Sequence, residues 1–260
     1  MLCKANREIA PFLKVRFISG NVKISGSKGE PLMKRSEINK ALKRMESVIN
    51  ELKISLPPFC NFTPEEWLTK GHEYDEIRDN MLGWDITDYG LGDFRKTGFS
   101  LITLRNGNLK SKDKYPKPYA EKLLFIEEGQ YSPNHFHWNK MEDIINKGGG
   151  NLLIRVYYSL PDEEIDRESD VTVHTDGRTY QVKAGTQIRL TPGESIAIQP
   201  YLYHDFEVEK GTGAVLLGEV SQVNDDNTDN RFNPPVGRFP EIEEDEPPYR
   251  LLCNEYPAAN

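Results

Sequence analysis

Tyr131-Ser132-Pro133-Asn134-His135-Phe136-His137-Trp138-Asn139-Lys140-Met141-Glu142 is the stretch on which the reading of this chain turns. His135 and His137 stand two apart, so on an extended segment both imidazoles project from one face while Phe136 points to the other. Two nitrogen donors then converge on one point. Glu142 lies five residues after His137, far enough for a short turn to swing its carboxylate back beside them. Two histidines and a carboxylate leave positions open on a divalent metal, as a reactive site requires and a closed structural site does not. Taken alone, a pair of alternating histidines is more often incidental. This pair has Glu142 at ligand spacing, and His204 follows in Gln199-Pro200-Tyr201-Leu202-Tyr203-His204-Asp205-Phe206, so three of the five histidines fall in two segments.

Together the two segments resemble the paired metal-binding motifs of the cupin superfamily, H-x-H-x4-E followed by a lone histidine. The resemblance implies a β-barrel that holds one metal ion on His135, His137, Glu142 and His204. His72 and His174 lack such company and read as surface or hairpin residues.

The flanking sequence agrees with a mainly β fold. After Gly83-Trp84-Asp85, short β-type segments follow one another: Phe99 to Arg105, Lys122 to Glu127, His135 to Trp138, Asn151 to Ser159, Val171 to His174, Arg178 to Val182, Gln187 to Leu190, Ser195 to Gln199, His204 to Val208 and Ala214 to Val220. Asp176-Gly177 suits a tight hairpin turn, and Thr191-Pro192-Gly193-Glu194 makes another. Many short strands separated by such turns predict an antiparallel sandwich or jelly roll. Before them, Ile38, Leu42, Met45, Val48, Ile49 and Leu52 recur at three and four, the mark of an amphipathic helix ending before Pro57-Pro58. Thr63-Pro64-Glu65-Glu66 supplies the cap, the first-turn proline and the capping-box glutamate of a second helix, and a further turn is expected between Glu73 and Met81. These helices should pack outside the barrel. Residues 1–32, with Gly20, Gly26 and Gly29, read as a flexible or poorly ordered extension. Residues 33–260 read as one domain with a helical first part (33–82) and a tail (225–260). The acidic run Glu241 to Glu246 reads as a solvated loop, although Phe232, Phe239, Ile242 and Tyr249 suggest that the tail is laid down on the protein.

A net charge of -8 without a basic patch argues against a nucleic-acid or anionic-membrane partner. Three cysteines with no C-x-x-C favour reduced thiols in a cytoplasmic protein. There is neither a convincing signal peptide nor a run of about 20 apolar residues, and no G-x-G-x-x-G or phosphate-binding loop.

Asn134-His135-Phe136-His137-Trp138-Asn139-Lys140-Met141-Glu142-Asp143-Ile144-Ile145-Asn146, the stretch from Gly218-Glu219-Val220-Ser221 to Phe232, and Gly237-Arg238-Phe239-Pro240-Glu241-Ile242 are together similar to the D-lyxose isomerase family of cupin sugar isomerases. The likeness runs from about Met33 to Tyr256. It implies a manganese-dependent aldose–ketose isomerase acting on D-lyxose and D-xylulose, with D-mannose and D-fructose as a second pair, and a homodimer. Zn, Fe, Co and Ni also suit a histidine-rich site with one carboxylate.

Moving a proton between adjacent carbons needs stabilisation of the oxygen that gains charge, which a metal binding O1 and O2 can supply. It also needs a base that does not coordinate the metal. Glu219, on an inner strand, is the first choice, with a buried salt-bridge partner as the plain alternative. Lys140 is placed to hold a sugar hydroxyl or steady an oxyanion, unless it is a solvated loop lysine. Asp229 and Arg231 are candidates for hydroxyl recognition, or they pair with each other to pin the tail. Tyr201 and Tyr203 are candidates for pocket wall. A hydride shift would use the same metal without a base. Other functions of a cupin site remain: a non-haem iron dioxygenase, or a non-catalytic sugar-binding protein.

Overall fold

Ile38, Leu42, Met45, Val48 and Ile49 are all buried and give the first helix, α1 (Arg35–Glu51), a single apolar face. The computed structural model describes residues 33–226 and 228–259; the expected extension, residues 1–32, lies outside the described residues. Asp245 reaches α1 from the tail, accepting hydrogen bonds from Ser36 N at 2.9 Å and Ser36 Oγ at 2.7 Å. Glu244 and Glu255 clamp the buried Arg35. The acidic run is therefore not merely a solvated loop: it sets negative charge against the positive end of a helix. The short helix α2 (Pro64–Trp67) carries the expected capping box, with Thr63 Oγ1 accepting from Glu66 N and Glu66 Oε2 accepting from Thr63 N. A third helix, α3 (Asp75–Asp79), follows.

The rest is β. A two-residue strand, β1 (Met33–Lys34), precedes α1; then come β2 (Gly83–Thr87), β3 (Phe99–Arg105), β4 (Tyr119–Ile126), β5 (Tyr131–Phe136), β6 (Glu142–Gly149), β7 (Leu152–Tyr158), β8 (Val171–Thr175), β9 (Arg178–Val182), β10 (Gln187–Leu190), β11 (Ser195–Ile198), β12 (Leu202–Val208), β13 (Val215–Gln222), β14 (Arg231–Phe232) and β15 (Ile242–Glu243). An eight-stranded sheet runs β2-β3-β4-β13-β6-β11-β8-β9 and a five-stranded sheet runs β10-β7-β12-β5-β14. Their inner faces share one core, with Leu124, Ile144 and Leu217 from the larger sheet and Ile154, Val156 and Phe206 from the smaller. The fold is a mainly β jelly roll. α1 packs outside it, on Ile86, Ile102, Leu123, Phe125 and Leu216 of the larger sheet. Asp176 and Gly177, with φ of 49° and 77°, make the expected tight turn between β8 and β9.

Two strands beside the histidine pair depart from the sequence reading. β5 begins at Tyr131 and ends at Phe136, so His137 and Trp138 follow the strand instead of lying in it. Glu142 is not brought back by a turn within one segment; it opens β6, in the opposite sheet. β6 escapes sequence detection because its inward row, Glu142-Ile144-Asn146, is polar at both ends. Asn146 is buried and donates to the carbonyls of Gly150 and Leu190.

The pairing registers explain where a polar site can form. Leu217 faces Leu124 across β13 and β4, and two residues on Glu219 faces Lys122; on the other side Glu219 faces Ile144. Inward rows that are apolar in the core thus become charged toward one end.

Candidate active site

His135 and His204 are direct partners across β5 and β12, and His137 is the first residue after β5. One ring nitrogen from each of the three lies within 4.8 Å of the others. Their remaining nitrogens are committed. His135 Nδ1 is 2.9 Å from Pro133 O, His137 Nδ1 2.8 Å from Asp229 O, and His204 Nδ1 3.1 Å from Leu202 O. A carbonyl oxygen can only accept, so each Nδ1 carries a proton and Nε2 is the nitrogen left to bind a metal. His137 Nε2 and His204 Nε2 are buried and have no hydrogen-bond partner among the described residues. Burial, with His204 and His137 alongside, holds His135 well below the ordinary imidazole range, so its ring is neutral.

Glu142 Oε1 lies 3.4 Å from His137 Nε2 and 3.2 Å from His204 Nε2. Burial alone would push this carboxyl up, but the Lys140 ammonium beside it holds it well below the usual carboxylate range. Ring nitrogens and an ionised oxygen face one another here at 3.2 to 3.4 Å, an arrangement that a metal ion bound between them would satisfy. Ligands about 2.1 Å from one ion and at right angles would stand about 3.0 Å apart, close to these separations. The donor set fits a divalent metal, and carbonyl-anchored histidines are what such a site needs to fix the ligating nitrogen.

Lys140 Nζ lies 2.6 Å from Glu142 Oε2 and donates to Glu219 Oε1 at 3.0 Å and to Asn224 Oδ1 at 3.2 Å. Burial lowers its basicity, but Glu142, Glu219 and Asp226 raise it further, so it stays a cation. It is a buried strut, not a solvated loop lysine. Glu219 receives Lys140 and, at 3.1 Å, Ser221 Oγ on the same Oε1.

Asp229 does not pair with Arg231. Its Oδ1 accepts from Asn139 N and Nδ2, its Oδ2 accepts from Lys140 N, and its backbone oxygen orients His137. Arg231 points away from the cavity to Glu163 and Glu164 and donates to Phe232 O. The structure thus places Asp229 as a positioning residue for the 137–140 turn and Arg231 as an anchor for β14. Tyr201 and Tyr203 also lie outside the cavity, packed on Phe136 from the outer side. Phe232 forms the wall instead, stacked on His135 with ring centroids 5.0 Å apart.

Three charged residues without a place in the sequence reading line the same cavity: Lys122, Asp226 and Arg238. Arg238 Nη2 donates to Asp85 Oδ2 at 2.6 Å and to Asp226 Oδ2 at 3.0 Å. Leu101, Phe206 and Phe232 give the lining an apolar side, and Thr87, Tyr89, Ser132 and Asn230 add neutral polar groups. The only sequence signal for Lys122 is its place two residues before Leu124 on an inward row.

The D-lyxose isomerase family pattern matches residues 33–256. The D-lyxose/D-mannose isomerases of Escherichia coli O157:H7 and Serratia proteamaculans are each 46% identical over 225 residues, covering 86% of this chain and 98% of the relative. The chain belongs to the D-lyxose isomerase family. Among solved structures it is similar to the L-ribose isomerase of Acinetobacter sp. DL28 in complex with L-ribose, with a TM-score of 0.53 at 12% identity, over 83% of this chain and 100% of that one. That likeness supports the fold. The protein is a sugar isomerase of the aldose–ketose type, and family membership sets aside the dioxygenase and the non-catalytic sugar-binding protein.

Proposed function

We propose that this isomerase interconverts D-lyxose with D-xylulose and D-mannose with D-fructose, using a divalent metal held by His135, His137, His204 and Glu142. The name shared by relatives 46% identical supports the substrate pairs. One observation carries the metal: three histidines whose Nδ1 atoms are all spent on carbonyls turn their other nitrogens to one point beside Glu142. Manganese is the ion we choose among those the donors suit. When bound, such a cation supplies a Lewis acid for the adjacent carbonyl and hydroxyl oxygens of the open-chain sugar.

The chain's own residues do the rest. Glu219 takes the proton from the carbon next to the carbonyl and returns it to the neighbouring carbon, through an enediolate. Its hydrogen bonds fall on Oε1, which leaves Oε2 to carry the proton. Lys140 ties this base to the ligand Glu142 and fixes their separation. Phe232, Tyr89, Leu101 and Phe206 keep water from the reacting carbons.

Stripping the metal should abolish turnover, and manganese should restore it, in an isomerisation screen across pentoses and hexoses; protein that isomerises no sugar with any divalent ion would end this reading. Glu142→Gln should lower bound metal, and full metal content with full activity would remove Glu142 from the ligand set. Asp229→Ala should weaken metal binding about 10- to 100-fold, because the 137–140 turn and the orientation of His137 depend on it. Titration of the stripped protein measures this, and unchanged affinity would show that the turn holds without Asp229.

We also infer a cytoplasmic homodimer, as the resemblance implies. Cys60 and Cys253 are buried free thiols, and no helix among the described residues is long and apolar enough to cross a membrane. Light scattering would test the dimer.

A further inference from the structure

We propose that Lys122 is a catalytic residue that carries the proton exchanged between the two sugar oxygens. This rests on the isomerase reading above. Removing a proton from C2 of an aldose and returning it at C1 accounts for only half of the bookkeeping, since the hydroxyl proton of O2 must also reach O1. Glu219, occupied with the carbon proton, cannot serve both. A second proton carrier is required beside it.

The two cavity lysines differ in a way that selects one of them. Lys140 has three N–H donors and three close partners, Glu142 Oε2 at 2.6 Å, Glu219 Oε1 at 3.0 Å and Asn224 Oδ1 at 3.2 Å. Nothing is left to give a substrate. Lys122 is equally buried, at 5% side-chain exposure, yet it sits 3.4 Å from Glu219 Oε1 and 3.8 Å from Asp226 Oδ1 and donates no hydrogen bond among the described residues. These two longer ion pairs are all that hold its ammonium, which leaves N–H donors over. Its free donors face the cavity that holds His135, His137 and Glu142.

The placement suits the task. Lys122 and Glu219 are direct partners across β4 and β13, so an oxygen-directed donor and a carbon-directed base stand side by side and can address adjacent atoms of the substrate. In the forward direction Glu219 takes the C2 proton, the C–H electron pair becomes the C1–C2 double bond, and the carbonyl pair moves onto O1. Lys122 gives a proton to O1 and takes the O2 proton. The O2 pair then forms the new carbonyl while Glu219 returns its proton to C1. Both residues end as they began, and no oxidant or reductant is needed.

The test is Lys122→Met and Lys122→Arg, assayed as metal-loaded enzyme with D-lyxose in deuterium oxide. Arginine keeps the buried cation between Glu219 and Asp226 but does not give up a proton, so it decides the matter even if the methionine variant folds poorly. Both variants should lose about 10²- to 10³-fold in kcat with KM within about threefold of wild type. Because the enediolate would still form and be reprotonated at C2, deuterium should enter recovered D-lyxose faster than ketose appears. Exchange and product formation falling in equal proportion would make Lys122 a positioning residue, and Lys122→Arg retaining more than about a tenth of wild-type turnover would remove it from the reaction. Wild-type enzyme that isomerises nothing sinks the isomerase reading; wild-type turnover with an undamaged Lys122→Arg sinks only the role of Lys122.

Discussion

Glu219→Gln should lower kcat by about 10²- to 10⁴-fold, the loss that follows when a positioned base is removed from a proton transfer. Metal content should be unchanged, because Glu219 lies on β13 and among the described residues its interactions run to Lys122, Lys140 and Ser221, not to the three histidines. The substitution is chosen for its shape. The amide oxygen of glutamine can still accept from Lys140 and Ser221, so the strut between Glu142 and residue 219 survives while the capacity to take a proton is lost. KM should therefore move little and kcat greatly, the signature of an interaction made only in the transition state. Running the wild type in deuterium oxide adds an independent check. A proton that passes through Glu219 exchanges with solvent and leaves deuterium at C1 of the ketose, whereas a hydride shift carries the original hydrogen across. Deuterium in the product would exclude a hydride shift, and full turnover by Glu219→Gln would leave Glu219 as the salt-bridge partner of Lys140.

What could be read in the sequence was what local spacing encodes. The alternation of His135 and His137, the repeat that builds α1, and the Asp176-Gly177 turn each follow from a few neighbouring residues. The charged half of the site is different. Lys122 stands first in the apolar run Leu123-Leu124-Phe125-Ile126, where it reads as the polar boundary of a strand; in fact β4 begins three residues earlier and Lys122 faces inward in the row of Leu124. Asp226 and Arg238 lie in a polar tail with no periodicity, and only the fold brings them beneath Lys122. β2 hides for another reason. All five of its residues are buried, so it shows no alternation of polar and apolar positions for a period of two to reveal. Asp229 and Arg231 were legible as polar residues of the tail, but which way each points depends on Asn139, Lys140 and Glu163, partners 68 to 90 residues away in sequence.

Replacing Arg238 with methionine should cost about 3 kcal/mol of stability at neutral pH, because it leaves buried carboxylates without their cation. Arg238 joins Asp85 at 2.6 Å and Asp226 at 3.0 Å, and its own side chain is 19% exposed, so solvent does little to screen the loss. Methionine fills much of the aliphatic volume and can keep the contact with Phe239, over which the guanidinium now lies, so the cost reports charge more than packing. The pH dependence fixes the cause. In the wild type burial would raise the Asp226 carboxyl, but Lys122, Arg238 and Lys140 together hold it well below the ordinary range. A depressed carboxyl contributes stability that is present above its unfolded value, about 3.9, and is lost as the pH falls through the folded value. Asp85 behaves in the opposite way: burial already holds it above the ordinary range against the pull of Arg238. Without the arginine it must rise further, and a raised carboxyl costs stability only where the unfolded chain has ionised and the folded one resists. The gap between variant and wild type should accordingly be full at pH 7.5 and shrink toward pH 5 as Asp85 takes up a proton in the folded state. Urea unfolding at the two pH values measures it. A gap that stays constant would mean that the arginine matters through its packing, and that the row of alternating charges from Glu142 through Lys140, Glu219, Lys122, Asp226 and Arg238 to Asp85 is not held together by its charges.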